Sequence, residues 1–140
     1  MRILMLSALA AVASCATSDQ QRVNPSALAL LEAREPTGET RRCLSLSQFD
    51  QVIAVDERTL LFRSGARTYY VNKTRNRCMG ATNFAHRFQY TVTGSQLCSI
   101  DMIEIVESSG GFRVGSCALG EFQRLALKDA PDAEEPEPVE

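Results

Sequence analysis

The sequence predicts a mainly β fold: a small antiparallel barrel or sandwich of about six strands, with a short N-terminal helix and a disordered tail. Short runs rich in β-branched and aromatic residues recur between turn-forming residues. One of these runs alternates strictly between apolar and polar residues. The stretch 40–127 shows no helical period that would indicate βαβ units, so we expect antiparallel strands in a single domain.

The predicted strands follow one another between residues 51 and 125. They are QVIAVD (51–56), TLLFRSG (59–65), RTYYVNK (67–73), FAHRFQYTV (84–92), LCSIDMIEIVE (97–107) and FRVGSC (112–117), and LGEFQRL (119–125) completes the sheet. In the run 84–92, one face carries Phe84, His86, Phe88, Tyr90 and Val92, which is typical of a half-buried strand.

A short helix is predicted within a tether that covers residues 15–39. Asn24 suits the N-cap and Pro25 the first helical position, while Pro36 should prevent the helix from extending further. A helix this short is marginal alone, so it either docks on the domain or forms only transiently.

The N-terminal segment predicts export. The run 3–13 is apolar except for Ser7, and about 11 such residues are too few to span a bilayer, which needs roughly 20. They suit a signal peptide, 1–14, and the following Val12-Ala13-Ser14-Cys15 resembles the lipobox of bacterial lipoproteins. We therefore expect lipid on Cys15, with ordinary secretory cleavage after Ala16 and a retained helix as alternatives. By analogy with lipoproteins, Ala16 favours the outer membrane, facing the periplasm.

The C-terminal segment 128–140 has a different composition from the domain. It contains six acids, three prolines and one lysine, a net charge of −5, and such a segment is expected to be disordered. The domain at 40–127 has eleven Arg or Lys and seven Asp or Glu, a net charge of +4. A mildly basic domain is therefore followed by an acidic tail.

The five cysteines comprise Cys15, where we expect lipid, and four cysteines in the domain. Without Cys15, an exported chain retains Cys43, Cys78, Cys98 and Cys117, and an oxidising compartment favours two disulfides. Their spacing lacks the short ligand pairs of zinc sites, so we expect no metal and no cofactor. Three pairings are open. A meander of strands favours Cys43–Cys117 and Cys78–Cys98.

Basic residues cluster in two places, before the first domain cysteine and before the second. They are Arg41, Arg42, Lys73, Arg75 and Arg77. They predict either a site for an anionic envelope component or acidic envelope protein, or a solvated surface that keeps the domain soluble. A nucleic-acid partner is not expected, because no basic patch is interleaved with exposed aromatics.

The sequence shows no catalytic constellation. His86 is the only histidine and lies on the apolar face of its strand, as a core or strand-end residue would. Asp101 and Glu104 would point to opposite faces of a strand, since they are three residues apart. The G-x-S-x-G motif, which carries the nucleophilic serine of many hydrolases, is missing as well.

Five motifs together resemble a family of small proteobacterial envelope lipoproteins with a four-cysteine domain of unknown function. They are RRCLSLSQF, VDERTLLF, YYVNKTRNRCMG, QLCSIDMIEIV and CALGEF, and the resemblance covers residues 40–124. It implies an envelope location and a compact disulfide-bearing domain, and it implies no activity.

These observations favour a lipid-anchored envelope protein that acts as a non-enzymatic binding or structural module. Its expected partners are the membrane, through Cys15, and an anionic envelope component or envelope protein. Two alternatives stay open: a small periplasmic hydrolase that uses His86 with a carboxylate, and a lipoprotein that inhibits an enzyme, by analogy with envelope lipoproteins that inhibit lysozyme.

Overall fold

A computed structural model describes residues 22–128. The predicted signal peptide, Cys15 and all but the first residue of the acidic tail lie outside the described residues. The described range contains one helix and ten strands. They are α1 (Pro25–Glu32), β1 (Arg34–Arg41), β2 (Cys43–Ser45), β3 (Gln51–Asp56), β4 (Thr59–Ser64), β5 (Thr68–Lys73), β6 (His86–Tyr90), β7 (Gln96–Cys98), β8 (Met102–Glu107), β9 (Arg113–Ala118) and β10 (Phe122–Leu127).

The strands form three antiparallel sheets. A five-stranded sheet has the order β1-β10-β5-β4-β3, a three-stranded sheet has the order β6-β8-β9, and β2 pairs with β7 alone. The mainly β, sandwich-like fold with a short N-terminal helix is therefore confirmed.

The number of strands is larger than the predicted six, for two local reasons. The predicted run 97–107 is divided into β7 and β8 by a turn, in which Asp101 N donates to Cys98 O at 3.0 Å. β1 and β2 were not predicted as strands at all. β1 falls largely within the predicted tether, yet it pairs with β10 from Arg34 onward, so the folded unit begins before residue 40. Its side chains are mostly exposed, which leaves no apolar alternation in the sequence.

Apolar side chains cover both faces of the five-stranded sheet. Between that sheet and the two smaller ones lies the main core, which includes Phe62, Phe122 and Ile105. On the other face, α1 packs Ala27 against Leu61 and its neighbours. The middle of β4 is consequently buried on both sides, which explains why the run Leu60-Leu61-Phe62 does not alternate.

Helix α1 begins as the sequence predicts and docks on the domain. Asn24 Oδ1 accepts hydrogen bonds from Ser26 N at 3.1 Å and Ala27 N at 3.3 Å, and Pro25 occupies the first turn. Asn24 N donates to Val55 O of β3 at 2.7 Å, so the N-cap residue also ties the helix to the sheet.

The four domain cysteines form two disulfides, but the predicted pairing is wrong. The bonds are Cys43–Cys98 and Cys78–Cys117. A simple meander does not exist, because β2 lies opposite β7 in a register that places Cys43 directly across from Cys98. Cys117 in turn lies in β9, next to the segment that leads to Cys78: Arg75 N donates to Ala118 O at 2.9 Å.

Candidate functional site

An open groove separates the edge strands of the two larger sheets. β3 ends the five-stranded sheet and β6 ends the three-stranded sheet, and both border the same cavity of about 400 Å³. Its lining comes from one short segment on each side: Phe49, Asp50, Gln51 and Val52 on one, and His86, Arg87, Phe88 and Tyr90 on the other. The groove therefore lies where the sandwich is not closed by strand pairing.

Aromatic rings form the floor of this groove. The Phe49 ring lies 6.0 Å from the Tyr90 ring and meets the Phe62 ring edge-on at 5.3 Å. Phe62 in turn contacts Phe122 at 5.1 Å, in the centre of the main core. Phe88 and Tyr90 are half-buried. Because the floor is continuous with the core, its rings are held in place and present a preformed apolar surface.

The charges at the groove are unequally compensated. Both oxygens of Asp50 accept hydrogen bonds from the Arg63 guanidinium, each at 3.0 Å, and this pairing lowers the pKa of Asp50 below its ordinary value. Arg87 is exposed and forms no ion pair with any residue of the described range 22–128. Arg87 alternates with the half-buried residues of β6, so β6 carries a cation without an ion pair in the described range on its face away from the groove.

His86 is fixed by the loop that precedes β6. Its Nδ1 lies 2.8 Å from Gly80 O, and a carbonyl oxygen only accepts, so Nδ1 carries the proton and donates. Gly80 has φ +78°, and a Cβ there would lie 2.9 Å from Nδ1, so glycine is required at this position.

The predicted face of the strand around His86 is partly correct. His86, Phe88 and Tyr90 are half-buried and alternate with exposed Arg87 and Gln89, as predicted. Phe84, however, precedes β6 and is 100% exposed, so its assignment to the apolar face is wrong. The strand begins two residues later than the alternation indicates, because residues 81–85 belong to turns.

The structure does not bring the candidate acid and base residues together. His86 lies opposite Glu107 at one end of β8, whereas Asp101 precedes the other end, six residues or about 20 Å away. Asp101 Oδ2 accepts from Cys98 N at 2.7 Å, and Glu104 pairs with Arg113 at 2.9 Å. Both carboxylates thus have structural partners, and neither is positioned to act with His86.

A second cavity, of about 480 Å³, places a different carboxylate near His86. Glu57 and His86 both line it. Glu57 accepts from Gly80 N at 3.0 Å and from Arg77 Nε. Burial raises the pKa of Glu57, but the hydrogen bonds from Gly80 and Arg77 outweigh burial and hold that pKa below its ordinary value. Glu57 is therefore an ionised anchor of the loop that carries Cys78, and its oxygens are occupied.

The predicted basic cluster occupies one end of the five-stranded sheet, but acids share this end. Arg41 pairs with Glu39 at 2.7 Å, and Arg77 pairs with Glu57. Lys73 Nζ donates to Thr59 Oγ1 at 2.8 Å. The structure leaves Arg42 and Arg75 with exposed side chains. The five residues are thus near one another, but they do not form a surface of a single sign.

Among the residues that the structure describes, no group of three or more His, Cys, Asp or Glu side chains could hold a metal ion. The described part of the chain also lacks a helix that is long and apolar enough to cross a membrane.

Apart from His86, which the alternative hydrolase would use, the residues of the groove were not predicted as a site. Phe49 and Val52 carry no motif, and the alternation in 84–92 indicates only a half-buried strand. The groove exists because two strands distant in the sequence end neighbouring sheets. Nothing in the sequence pattern reports such a juxtaposition.

Comparison with known proteins yields no relative. No family model, no curated protein and no solved structure matches the chain.

Proposed function

We propose that this protein is an envelope lipoprotein, anchored by lipid on Cys15, whose domain serves as a non-enzymatic binding or structural module. The lipobox-like Val12-Ala13-Ser14-Cys15 supports the anchor. The two disulfides of the domain support an oxidising compartment, since such bonds are rare in the cytosol.

The observation that carries the binding role is the groove between β3 and β6. Its floor is apolar and its one carboxylate is occupied by Arg63, while the bordering strand β6 carries the exposed Arg87 on its other face. A surface of this kind suits recognition. A hydrolase would need a carboxylate aimed at His86. Asp101, Glu57 and Glu107, which lies across from His86, each accept a hydrogen bond from another group.

The anchor is tested by metabolic labelling of the full chain with a radioactive fatty acid. Cys15→Ser should abolish the label and leave uncleaved precursor. Treatment of the wild type with globomycin should also leave uncleaved precursor. Ser14→Ala keeps a small residue before the cysteine and serves as the matched control, which should be labelled and processed normally. Normal processing of Cys15→Ser would overturn the lipid anchor.

The binding role is tested separately on the purified protein. Phe49→Ala and Tyr90→Ser change the groove floor and should weaken retention of an envelope partner without altering the disulfides. Hydrolysis of a peptide, ester or glycan substrate that is lost in His86→Gln would contradict the non-enzymatic role.

A further inference from the structure

The edge strands of the two larger sheets differ in whether their outward main-chain groups are covered. The outer edge of β9 is covered by the segment before Cys78. Arg75 N donates to Ala118 O at 2.9 Å, and the Asn76 side chain bonds both Ala118 N at 2.7 Å and Ser116 O at 3.1 Å. Asn76 thereby occupies the main-chain groups that another strand would need.

The edges of the five-stranded sheet are also interrupted. The register of β1 shifts between Pro36 and Thr40, where Gly38 has φ +88° and Pro36 lacks an N–H. On β3, Val55 O accepts from Asn24 N at 2.7 Å. Bulges, prolines and covering segments are the usual means by which proteins protect sheet edges.

The edge of β6 has no such protection. Ser108 N donates to Ala85 O at 2.9 Å, and hydrogen bonding alternates along an antiparallel pair. The main-chain groups of Arg87 and Gln89 therefore face β8, and those of Phe88 and Tyr90 face outward. Glu107 N, which bonds Phe112 O at 2.9 Å on the opposite side of β8, agrees with this alternation. Within residues 22–128, no strand pairs with this edge.

We propose that β6 binds an extended segment of a partner polypeptide, which adds as a fourth strand to the three-stranded sheet. This inference specifies the binding role proposed above and does not depend on the lipid anchor. Main-chain bonds to Phe88 and Tyr90 would hold the segment. Its alternate side chains would enter the groove over Phe49 and Tyr90.

Charge identifies the chemistry of that segment further. Arg87 and Gln89 alternate with the groove-facing residues of β6 and lie on the opposite face. The residue of the added strand beside Arg87 would face the same way, and an acidic side chain there gains an ion pair. The expected ligand pattern is therefore apolar, acidic, apolar. A second copy of β6 does not offer this pattern, since it would bring Arg87 rather than an acid.

The proposal is tested with a fluorescent peptide, Ser-Thr-Val-Glu-Val-Thr-Val-Ser, titrated into the purified full chain and followed by anisotropy. A second peptide replaces Glu by Lys. The wild type should bind the Glu peptide about fivefold tighter, the ratio that corresponds to about 1 kcal/mol. Arg87→Glu should reverse the preference. Arg75→Glu, the same charge change away from β6, is the matched control and should keep it.

The open edge itself is tested by proline. Phe88→Pro removes an outward N–H but no bond to β8, so it should bind the Glu peptide about tenfold more weakly than Phe88→Ala, which loses only the ring. Intact disulfides and an unchanged circular dichroism spectrum show that Phe88→Pro folds. If Phe88→Pro does not fold, Tyr90→Pro is tested in its place. Equal binding by Phe88→Pro and Phe88→Ala would overturn strand addition.

Three further results would overturn the proposal. The first is absence of saturable binding to the wild type, and the second is reversal of the preference by Arg75→Glu. The third is occupation of the edge by this chain itself. A second copy would be seen as a dimer in sedimentation that Phe88→Pro dissociates. The chain's own C-terminal segment would be indicated by peptide binding only after residues 129–140 are removed. A failed lipid anchor would leave these measurements unchanged, so the two proposals fail separately.

Discussion

The two disulfides close loops of similar length but lie in different surroundings. Cys43–Cys98 spans 55 residues and Cys78–Cys117 spans 39, and for loops of this size restriction of the unfolded chain contributes about 4 kcal/mol each. Cys78 and Cys117 are 0% exposed, whereas Cys43 and Cys98 are half-buried. The two bonds therefore restrict the unfolded chain to a similar extent, and they differ in how closely their sulfur atoms are packed.

Their structural roles differ accordingly. Cys78–Cys117 joins the loop anchored by Glu57 to the edge strand β9 of the three-stranded sheet, inside the main core. Cys43–Cys98 links β2 to β7, a pair of three-residue strands that would be marginal without support. The buried bond is part of the core. The half-buried bond, called the exposed disulfide below because it is the more exposed of the two, secures a small peripheral sheet.

Removal of the buried disulfide should have the largest effect on stability. Cys78→Ala with Cys117→Ala should lower the free energy of unfolding by about 5 kcal/mol, because loss of packing by two buried sulfur atoms adds to loss of the cross-link. Denaturant titration of the oxidised variant measures this difference. A loss smaller than that of the exposed pair would break the comparison.

Removal of the exposed disulfide should cost less. Cys43→Ala with Cys98→Ala should lower the free energy of unfolding by about 4 kcal/mol, because nearly all of the effect comes from the unfolded chain. The order of reduction sharpens the difference: graded dithiothreitol with alkylation and mass spectrometry should label Cys43 and Cys98 first, since their sulfur atoms are nearer to solvent. Simultaneous labelling of all four would contradict it.

The anchor of the buried disulfide should respond to pH. Glu57→Gln should lower the free energy of unfolding at neutral pH by about 2 kcal/mol, since a charge-assisted hydrogen bond is lost from a mostly buried carboxylate. The folded pKa of Glu57 is below its ordinary 4.5, so its stabilisation is complete above about pH 4.5 and is lost as pH falls through the folded pKa. Denaturant midpoints between pH 3 and 7 should therefore depend less on pH in the variant.

A substitution beside the exposed disulfide should have the smallest effect. Ile100 follows Cys98 by two residues and is 72% exposed. Ile100→Ser should change the free energy of unfolding by no more than about 0.5 kcal/mol. A larger loss in thermal denaturation would mean that the peripheral sheet packs more tightly than its exposure indicates.

Local signals in the sequence predicted local structure correctly. Asn24 and Pro25 mark the start of α1, because capping depends on a few neighbouring groups. The alternation of His86, Phe88 and Tyr90 gave the half-buried face of β6. β1 escaped prediction, because an exposed edge strand needs no apolar pattern.

By itself, the sequence determined that the fold is mainly β and begins with a capped helix, and it led to the expectation that its four domain cysteines pair. Only the tertiary structure decided which cysteines meet, that the β6 edge is open, and that β3 and β6 border one groove. The physical reason is the distance along the sequence over which each interaction acts. Capping and alternation act over a few residues. Disulfide partners here are up to 55 residues apart, and strand partners are as distant as Arg34 and Leu127.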